Sequence, residues 1–343
     1  MRMKRRHFLK QTGLAAASFG IMKDLFAHQN DPVYGHNNMR YTMNAKWGAL
    51  NPSQHPVNDC HEMVQDSKGR IILLTNETRN NILIYDKSGK LQQSWGHEFP
   101  GAHGLSLHAA GGEEYLFITD TNRHQVYKTD LNGKVLLTID YPEATGVYKN
   151  REAFVPTETV ILDNGEFYVA DGYGAQYIIH YDERGKIKSW FGGKGETTAH
   201  LDNAHGITID KRQGTPTLLV TDRTRHCFKR FSLDGKLLEV IALPGACVCR
   251  PVIKGDYLYA AVLRSPGLNV ADSGFVTILD KQNKVVSNIG GSEPVYQNGQ
   301  LQPMSQADKI FANPHDVCVD DEDNLYVAQW ASGKVYPYKF TRV

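Results

Sequence analysis

The stretch HEMVQDSKGRIILLTNETRNNILIYDKSGKLQQSWG, residues 61–96, decides the fold. It contains two short apolar runs, IILL at 71–74 and ILIY at 82–85, and each is flanked by a turn of the form DxxG, at 66–69 and 86–89. Short runs rich in β-branched and aromatic residues, bounded by turns that contain Asp and Gly, are typical of strands joined in hairpins. The stretch therefore predicts a small antiparallel sheet made of short strands.

Related stretches follow along the rest of the chain. They occupy residues 103–139, 157–193, 205–241, a degenerate fifth region within 250–291, and 315–340. A period of roughly 40–55 residues is typical of propellers and other repeat arrays, and no long helical periodicity interrupts it. We predict an all-β protein, a six-bladed β-propeller that forms one domain over residues 56–343 and is preceded by a lead-in segment at 28–55.

Three histidines stand at the same place in alternate repeats. They are His103 in GAHGLSL, His205 in NAHGITI and His315 in NPHDVCV. In a six-bladed ring, alternate blades place these side chains about 120° apart around one central channel. Three neutral imidazoles that converge in this way, with a coordination position left open, are typical of a catalytic zinc site. The pattern predicts a zinc ion, or another divalent transition metal, in the channel.

The first repeat also carries a histidine at this place, His61, whereas the third and fifth repeats carry Thr157 and Arg250. Two interpretations of His61 stay open at this point. It is either a fourth group that faces the channel or a sign that the repeat itself favours histidine there.

The repeats resemble the NHL repeat over nearly all of residues 56–343. The histidine motifs AHGL at 102–105, AHGI at 204–207 and PHD at 314–316 resemble those of the peptidyl-α-hydroxyglycine α-amidating lyases. Enzymes of that family are six-bladed propellers that cleave an N-acylated α-hydroxyglycine into an amide and glyoxylate. The resemblance implies a zinc ion held by the three histidines.

The resemblance implies four further site residues. Asp316 and the backbone carbonyl of Leu105 correspond to ligands of a structural calcium ion, for which a carboxylate is a suitable hard ligand. Tyr173, in DGY at 171–173, corresponds to a proposed base, and Arg223 corresponds to an arginine that lines the pocket. A phenol can accept a proton only if a nearby cation lowers its pKa, and Arg223 or the metal is predicted to supply that charge. An arginine is also suited to grip a substrate carboxylate with two hydrogen bonds.

The sequence departs from the lyases at several positions. Their first blade carries an arginine directly after a strand, where this chain has Glu77; Arg79, two residues later, is the predicted substitute. Gly174 stands where the family has a cysteine, and Asn313 where it has a methionine. The resemblance is therefore closer for the metal ligands than for the substrate pocket.

Residues 1–27 predict an export signal of the twin-arginine type. Arg5 and Arg6 are followed by Phe-Leu-Lys at 8–10, an apolar run at 12–22 and a small residue, Ala27. The alternative is an ordinary secretory signal with arginines paired by chance. The pattern favours recognition by the twin-arginine export machinery and a periplasmic or secreted bacterial protein without a stable membrane span.

Removal of residues 1–27 changes the charge balance. Six of the 38 basic and one of the 37 acidic residues lie there, so 32 basic and 36 acidic residues remain, a net charge of −4. No basic stripe is left, which argues against nucleic acid and anionic membranes as partners.

The five cysteines are not spaced like a disulfide framework or a zinc ribbon, and they predict single buried thiols, with one disulfide bridge as the alternative.

The predicted function is that of an exported metal-dependent enzyme acting on a small molecule or a peptide. We expect a lyase that cleaves the C–N bond of an α-hydroxyglycine-type substrate, or a hydrolase. The alternative is a non-catalytic NHL propeller that binds a protein or glycan and holds only a structural metal. A lactonase-like calcium propeller would need acid and amide ligands around the channel, and the histidine set argues against it.

Overall fold

A computed structural model of the chain describes residues 32–343, so the predicted signal at 1–27 lies outside the described residues. The described part is built almost entirely of short antiparallel strands arranged in six blades, and the predicted fold class is confirmed. Its two helices are single 3-10 turns, Glu143–Thr145 and Arg151–Ala153. None of the described helices has the length and apolar content that a membrane crossing requires.

The first strands within residues 32–343 are β1 and β2, and the first four blades follow in sequence order, each running from an inner to an outer strand. The bounds of these strands are β1 Val33–His36 and β2 Met39–Asn44; β3 Cys60–Gln65, β4 Ile71–Thr75, β5 Ile82–Tyr85 and β6 Leu91–Trp95 in blade 1; β7 Ala102–Ala110, β8 Glu113–Asp120, β9 Gln125–Asp130 and β10 Val135–Ile139 in blade 2; β11 Glu158–Ile161, β12 Phe167–Ala170, β13 Tyr177–Tyr181 and β14 Ile187–Gly192 in blade 3; and β15 Ile207–Asp210, β16 Thr217–Asp222, β17 Cys227–Phe231 and β18 Leu237–Ala242 in blade 4.

Blade 5 matches the degenerate repeat, because its inner edge is divided between two short strands. The remaining strands are β19 Cys247–Val248, β20 Val252–Lys254, β21 Tyr257–Arg264, β22 Phe275–Leu279 and β23 Val285–Ile289 in blade 5; the hairpin β24 Tyr296–Gln297 and β25 Gln300–Leu301; and β26 Pro314–Val319, β27 Leu325–Gln329 and β28 Tyr338–Arg342 in blade 6.

The ring is closed by a strand from the segment predicted as a lead-in. Strand β2 pairs with β28, so that Met39–Asn44 extends blade 6 beyond the strands that the C-terminal repeat supplies. The propeller therefore begins inside the 28–55 segment rather than at residue 56. The physical reason is that the outer edge of β28 would otherwise expose unpaired backbone groups.

The core consists of six apolar layers, one between each pair of neighbouring blades. Strand β4 illustrates how the sequence builds them. Ile72 and Leu74 pack against blade 2, while Ile71 and Leu73 pack against blade 6. Both faces of such a strand are buried, and for this reason its sequence is an unbroken apolar run rather than an alternating one.

The predicted DxxG turns are confirmed as hairpin ends. In the turn at 86–89, the Gly89 amide donates to the Asp86 carbonyl, and the Asp86 side chain accepts from the amides of Ser88 and Lys90. Gly89 has a φ of 91°, a left-handed conformation that favours glycine. These turns set the blade length and leave the inner strands to line the channel.

Candidate metal centre

The inner strands meet around the channel, and backbone irregularities direct histidines into it. Strand β3 contacts β26 and β7, and the same kind of contact continues around the ring. Register shifts interrupt the pairing at His61, at His103 and at His315, between residues that flank each histidine. A bulge of this kind re-aims a side chain, and bulges are frequent beside functional sites.

The fourth histidine, His205, is presented in another way. It precedes β15, and its amide donates to the carbonyl of Asn203, which has a φ of 67°. Asparagine tolerates this left-handed conformation better than most residues do. In blade 4, a tight turn therefore directs the histidine into the channel, as the bulges do in blades 1, 2 and 6.

The structure brings all four histidines together. The ring centre of His103 lies 4.7 Å from that of His205 and 5.0 Å from that of His315, and His205 and His315 are 4.8 Å apart. His61 joins them, at 5.0 Å from His103 and 4.8 Å from His315. One ring nitrogen from each of His61, His103 and His315 lies within 4.8 Å of the others. His61 is thus a fourth channel-facing group, one of the two interpretations left open above.

Hydrogen bonds orient two of the rings for metal binding. Nδ1 of His103 lies 2.8 Å from the carbonyl oxygen of Thr157, and Nδ1 of His315 lies 3.1 Å from that of His61. A carbonyl can only accept, so each Nδ1 carries the proton and each Nε2 keeps its lone pair. Such second partners are a regular feature of metal-ligating histidines.

His205 gives the test of whether the residues fit a metal ion. Its side chain is fully buried, and neither ring nitrogen has a hydrogen-bond partner among the described residues. Nδ1 of His61 is also buried without a partner. A buried polar atom without a partner is costly, and such atoms in a native protein point to a bound ion or another bound group. The donor set, four neutral imidazoles, fits a divalent transition metal.

Burial keeps these imidazoles neutral. It lowers the pKa of His61 to about 3 and the pKa values of His103, His205 and His315 well below the usual range. The neighbouring imidazoles and the positive charge of Arg223 act in the same direction. Only the neutral form offers a lone pair to a metal, so the protein environment prepares the ligands.

Tyr173 and Arg223, predicted from the lyase motifs, both adjoin the histidines. The Tyr173 hydroxyl lies 3.1 Å from Nε2 of His103 and 3.5 Å from Nη1 of Arg223. Arg223 is held by donation from Nε to the Val248 carbonyl at 3.1 Å and by a 3.0 Å contact of Nη2 with Sγ of Cys249. Burial raises the pKa of Tyr173, and the Arg223 charge only partly opposes this. The structure therefore joins the predicted pair, but Arg223 does not bring the pKa of the phenol below its ordinary value.

A cavity of about 290 Å³ opens onto this group from one end of the channel. Its walls include His61, His103 and Tyr173, together with Asn76, Asn122 and Trp330, which sequence reasoning missed. A usable signal was present: these missed residues come one or two positions after the second strand of their blades, close to the places of Arg223 and Tyr173, which come one and three positions after theirs. The sequence analysis also missed Cys249, whose thiol contacts Arg223.

Arg79 is not brought to the site. Its Nε donates to the Glu77 carboxylate at 3.1 Å, and its side chain is 61% exposed. It does not line the 290 Å³ cavity. The prediction that Arg79 substitutes for the first-blade arginine of the lyases is therefore not supported by the geometry, because Glu77 holds the guanidinium at the surface.

The two predicted calcium ligands face a guanidinium instead. Nε and Nη2 of Arg250 lie 3.0 and 2.8 Å from the two carboxylate oxygens of Asp316, and Nη1 donates to the Leu105 carbonyl at 3.3 Å. Calcium does not fit here, because the oxygen lone pairs it would need are taken and a fixed positive charge lies against them. The predicted calcium site is corrected accordingly.

The five cysteines agree with the predicted buried thiols, since all are buried and none forms a disulfide.

Comparison with known proteins relates the chain to the amidating lyases at low identity. It is 26% identical over 275 residues to peptidyl-alpha-hydroxyglycine alpha-amidating lyase 1 of Drosophila melanogaster, a match that covers 73% of this chain and 47% of the relative. It is 25% identical over 191 residues to NHL repeat-containing protein 3 of Mus musculus, covering 47% of this chain and 55% of the relative. The chain thus spans about half the length of the curated relatives it matches.

A solved streptogramin B lyase structure matches with a TM-score of 0.57 at 13% identity, covering 84% of this chain and 95% of the other, and this likeness concerns the fold. No family model matches the chain. The protein is therefore a propeller, and its sequence relatives include amidating lyases at low identity.

Proposed function

We propose that this protein is a metal-dependent lyase similar to peptidyl-α-hydroxyglycine α-amidating lyase. The observation that carries the proposal is the fully buried His205, with both ring nitrogens unpartnered, beside His103, His315, Tyr173 and Arg223. The lyase relatives supply the reaction class. We assign His103, His205 and His315 as the metal ligands and His61 as an adjacent fourth imidazole.

The proposed reaction removes the proton of a substrate hydroxyl, whose electron pair forms the carbonyl of glyoxylate. The C–N bond breaks with its electrons on the amide nitrogen, which takes up a proton. A bound divalent metal would supply Lewis-acid polarisation of the hydroxyl oxygen. Tyr173 is assigned as the proton-transfer group, because its hydroxyl lies beside His103 and Arg223. Since Arg223 alone does not lower the pKa of this phenol, the charge of a bound metal would have to do so.

The other residues bind and orient the substrate in this proposal. Arg223 is 2% exposed, and its charge beside the Tyr173 hydroxyl is suited to the carboxylate of an α-hydroxyglycine. The acyl or peptide part would lie in the 290 Å³ cavity, between the amide side chains of Asn76 and Asn122 and the ring of Trp330. Water exclusion follows from the depth of the histidines, none of which is more than 5% exposed.

Metal analysis of the purified protein tests the site first. We expect about one transition-metal ion per chain in the wild type, its loss in His205→Ala, and its retention in His97→Ala, which changes an exposed histidine. Retention of near-stoichiometric metal in all three single variants, His103→Ala, His205→Ala and His315→Ala, contradicts the assignment.

Glyoxylate release from an N-acyl-α-hydroxyglycine tests the reaction. A metal-loaded protein that releases no glyoxylate would support the alternative, a propeller that binds a protein or glycan and holds a structural metal only. Elemental analysis tests the metal site and the glyoxylate assay tests the reaction, so a failure of one can be distinguished from a failure of the other.

We also propose that residues 1–27 direct export by the twin-arginine route, which gives a periplasmic or secreted enzyme. These residues lie outside the described part of the chain, and the paired arginines carry the proposal. The test is cell fractionation of the wild type and of Arg5→Lys/Arg6→Lys. Export that is unchanged in the double variant indicates an ordinary secretory signal.

A further inference from the structure

A second layer of charged side chains adjoins the histidines: its acids directly follow the histidine positions of blades 1, 3 and 6, and its arginine takes the histidine position of blade 5. It contains three carboxylates, from Glu62, Glu158 and Asp316, and the guanidinium of Arg250. Arg250 approaches Asp316 at 2.8 Å, Glu62 at 3.5 Å and Glu158 at 3.7 Å. The three acid side chains are 0% exposed, and that of Arg250 is 11% exposed.

Arg250 also satisfies backbone oxygens from two other blades. Nη2 donates to the Met63 carbonyl at 3.0 Å, and Nη1 donates to the Leu105 carbonyl at 3.3 Å. One side chain from blade 5 thereby joins the inner strands of blades 1, 2 and 6. Carboxylates and carbonyl oxygens gathered around one positive centre are the ligand set of a hard divalent cation such as calcium.

Backbone amides meet one oxygen of each acid, while Oε1 of Glu62 and Oε2 of Glu158 have no hydrogen-bond partner among the described residues. The Met63 amide donates to Asp316 at 2.9 Å, and the Leu105 amide donates to Glu62 at 2.7 Å. Glu158 accepts from the amide of Thr159 at 2.8 Å. A buried carboxylate needs such partners and a counter-charge, because burial alone strongly disfavours its ionised form.

We infer that Arg250 replaces a bound divalent cation as the structural cation of the channel and that the wild-type protein takes up no calcium there. Arg250 is also a positioning residue for the proposed metal centre, and this part of the inference rests on the proposed function. Glu62 and Asp316 directly follow His61 and His315, and Leu105 lies two residues after His103. Holding these three inner strands therefore holds the histidines that precede the contacts.

The inference is tested by calcium titration and thermal melting of the metal-loaded full chain. The probe is calcium chloride at millimolar concentration, and a cavity of about 390 Å³ lined in part by Arg250, Ser106 and Thr159 gives it access. For the wild type we expect no calorimetric binding and no change in Tm. Uptake of about one calcium ion per chain by the wild type, with a rise in Tm, overturns the inference.

Two variants at this position sharpen the test. Arg250→Ala leaves three carboxylates and two carbonyls without a cation, and we expect its Tm to fall by about 5–15 °C and to recover in part when calcium is added. Arg250→Lys keeps the charge, and we expect a smaller loss that calcium does not change. If Arg250→Ala folds but its Tm does not recover when calcium is added, the inference is contradicted. If Arg250→Ala does not fold, the calcium titrations of the wild type and of Arg250→Lys still test the inference, because it predicts no calcium binding by either protein.

Arg212→Ala is the matched control. Arg212 is also a buried arginine of this chain, paired with Asp210 at 2.8 Å, and its side chain is 3% exposed. Its removal lowers Tm without leaving a set of three carboxylates, so calcium is expected to give no recovery. Equal recovery in both variants means a non-specific effect of calcium and overturns the inference.

A spectroscopic readout tests the positioning role. In the cobalt-substituted protein, we expect the visible absorption of the histidine site to change in Arg250→Ala and to return towards that of the wild type when calcium is added. A spectrum unchanged in Arg250→Ala overturns the positioning role. Absence of cobalt binding in the wild type would refute the proposed function instead, and it leaves the calcium titration and melting data valid.

Discussion

The histidine layer and the Arg250 layer adjoin one another along the channel, yet they differ in whether a counter-charge meets their buried polar groups. In the histidine layer, both ring nitrogens of His205 and one of His61 have no partner among the described residues. Around Arg250, both oxygens of Asp316 are engaged by the guanidinium, while Oε1 of Glu62 and Oε2 of Glu158 are buried without a hydrogen-bond partner among the described residues. The three acids lie within 3.7 Å of the Arg250 guanidinium, whereas nothing among the described residues meets either ring nitrogen of His205. A buried histidine without any partner points to a bound group. The contrast separates a candidate functional layer from a structural one.

Removal of a histidine ligand is expected to have the largest effect on activity. If the metal polarises the substrate, its loss in His205→Ala costs several kcal/mol of transition-state stabilisation and lowers kcat/KM roughly 10³–10⁵-fold. The measurement is glyoxylate release, beside His97→Ala as the control. Activity in His205→Ala within tenfold of wild type would break the functional assignment of this layer.

Tyr173→Phe sharpens the comparison by removing the proton-transfer group without touching the ligands. We expect kcat to fall about 10²–10⁴-fold, the usual contribution of a positioned acid or base, while metal content stays at the wild-type level. Steady-state kinetics with elemental analysis of the same sample measures both. A change confined to KM would instead indicate a substrate-binding role.

His61→Ala tests whether the fourth imidazole is a ligand or a neighbour. Its backbone carbonyl, which accepts from Nδ1 of His315 at 3.1 Å, is kept in this variant. What the variant loses is the imidazole ring, which packs at 5.0 Å from the ring of His103 and 4.8 Å from that of His315. We therefore expect metal affinity to fall about 10–100-fold, as when a group that supports the ligands is lost, rather than to disappear. Competition with a chelator of known affinity measures it. Complete loss of metal would place His61 among the ligands.

Stability in the metal-free chain distinguishes the two layers directly. His205→Ala removes nitrogens that have no partner, so we expect a change in Tm of no more than about 4 °C, corresponding to roughly 1 kcal/mol. Arg250→Ala leaves buried carboxylates without their counter-charge and is expected to lose far more. Thermal melting in the presence of a chelator gives the values, and equal losses would contradict the contrast.

The smallest effect is expected for Arg79→Ala. Its ion pair with Glu77 is exposed, and exposed pairs contribute about 0–1 kcal/mol. Glyoxylate release and Tm should both stay within the error of the wild-type values. A loss of activity greater than about tenfold would mean that Arg79 reaches the substrate in the working enzyme.

Much of the candidate site was accessible from sequence because the repeats are in register. Equivalent positions in a propeller lie at equivalent depths, so His103, His205 and His315 could be predicted to converge. Tyr173 and Arg223 were predicted near them from the resemblance to the amidating lyases. Asn76 and Trp330 carry the same positional signal and were missed because their residue types do not indicate chemistry by themselves. Arg79 was misplaced because side-chain direction two residues beyond a strand depends on local partners such as Glu77.

By itself, the sequence determined the number of blades, the turns between strands and the ring of histidines, since these follow from local periodicity and from repetition. Only the tertiary structure decided that β2 completes blade 6, that His61 joins the cluster and that Arg250 occupies the place of a cation. The physical reason is distance along the chain. Arg250 of blade 5 meets the Met63 and Leu105 carbonyls and the Asp316 carboxylate, which belong to three other blades. No local pattern encodes which side chain from one blade pairs with the polar groups of the others.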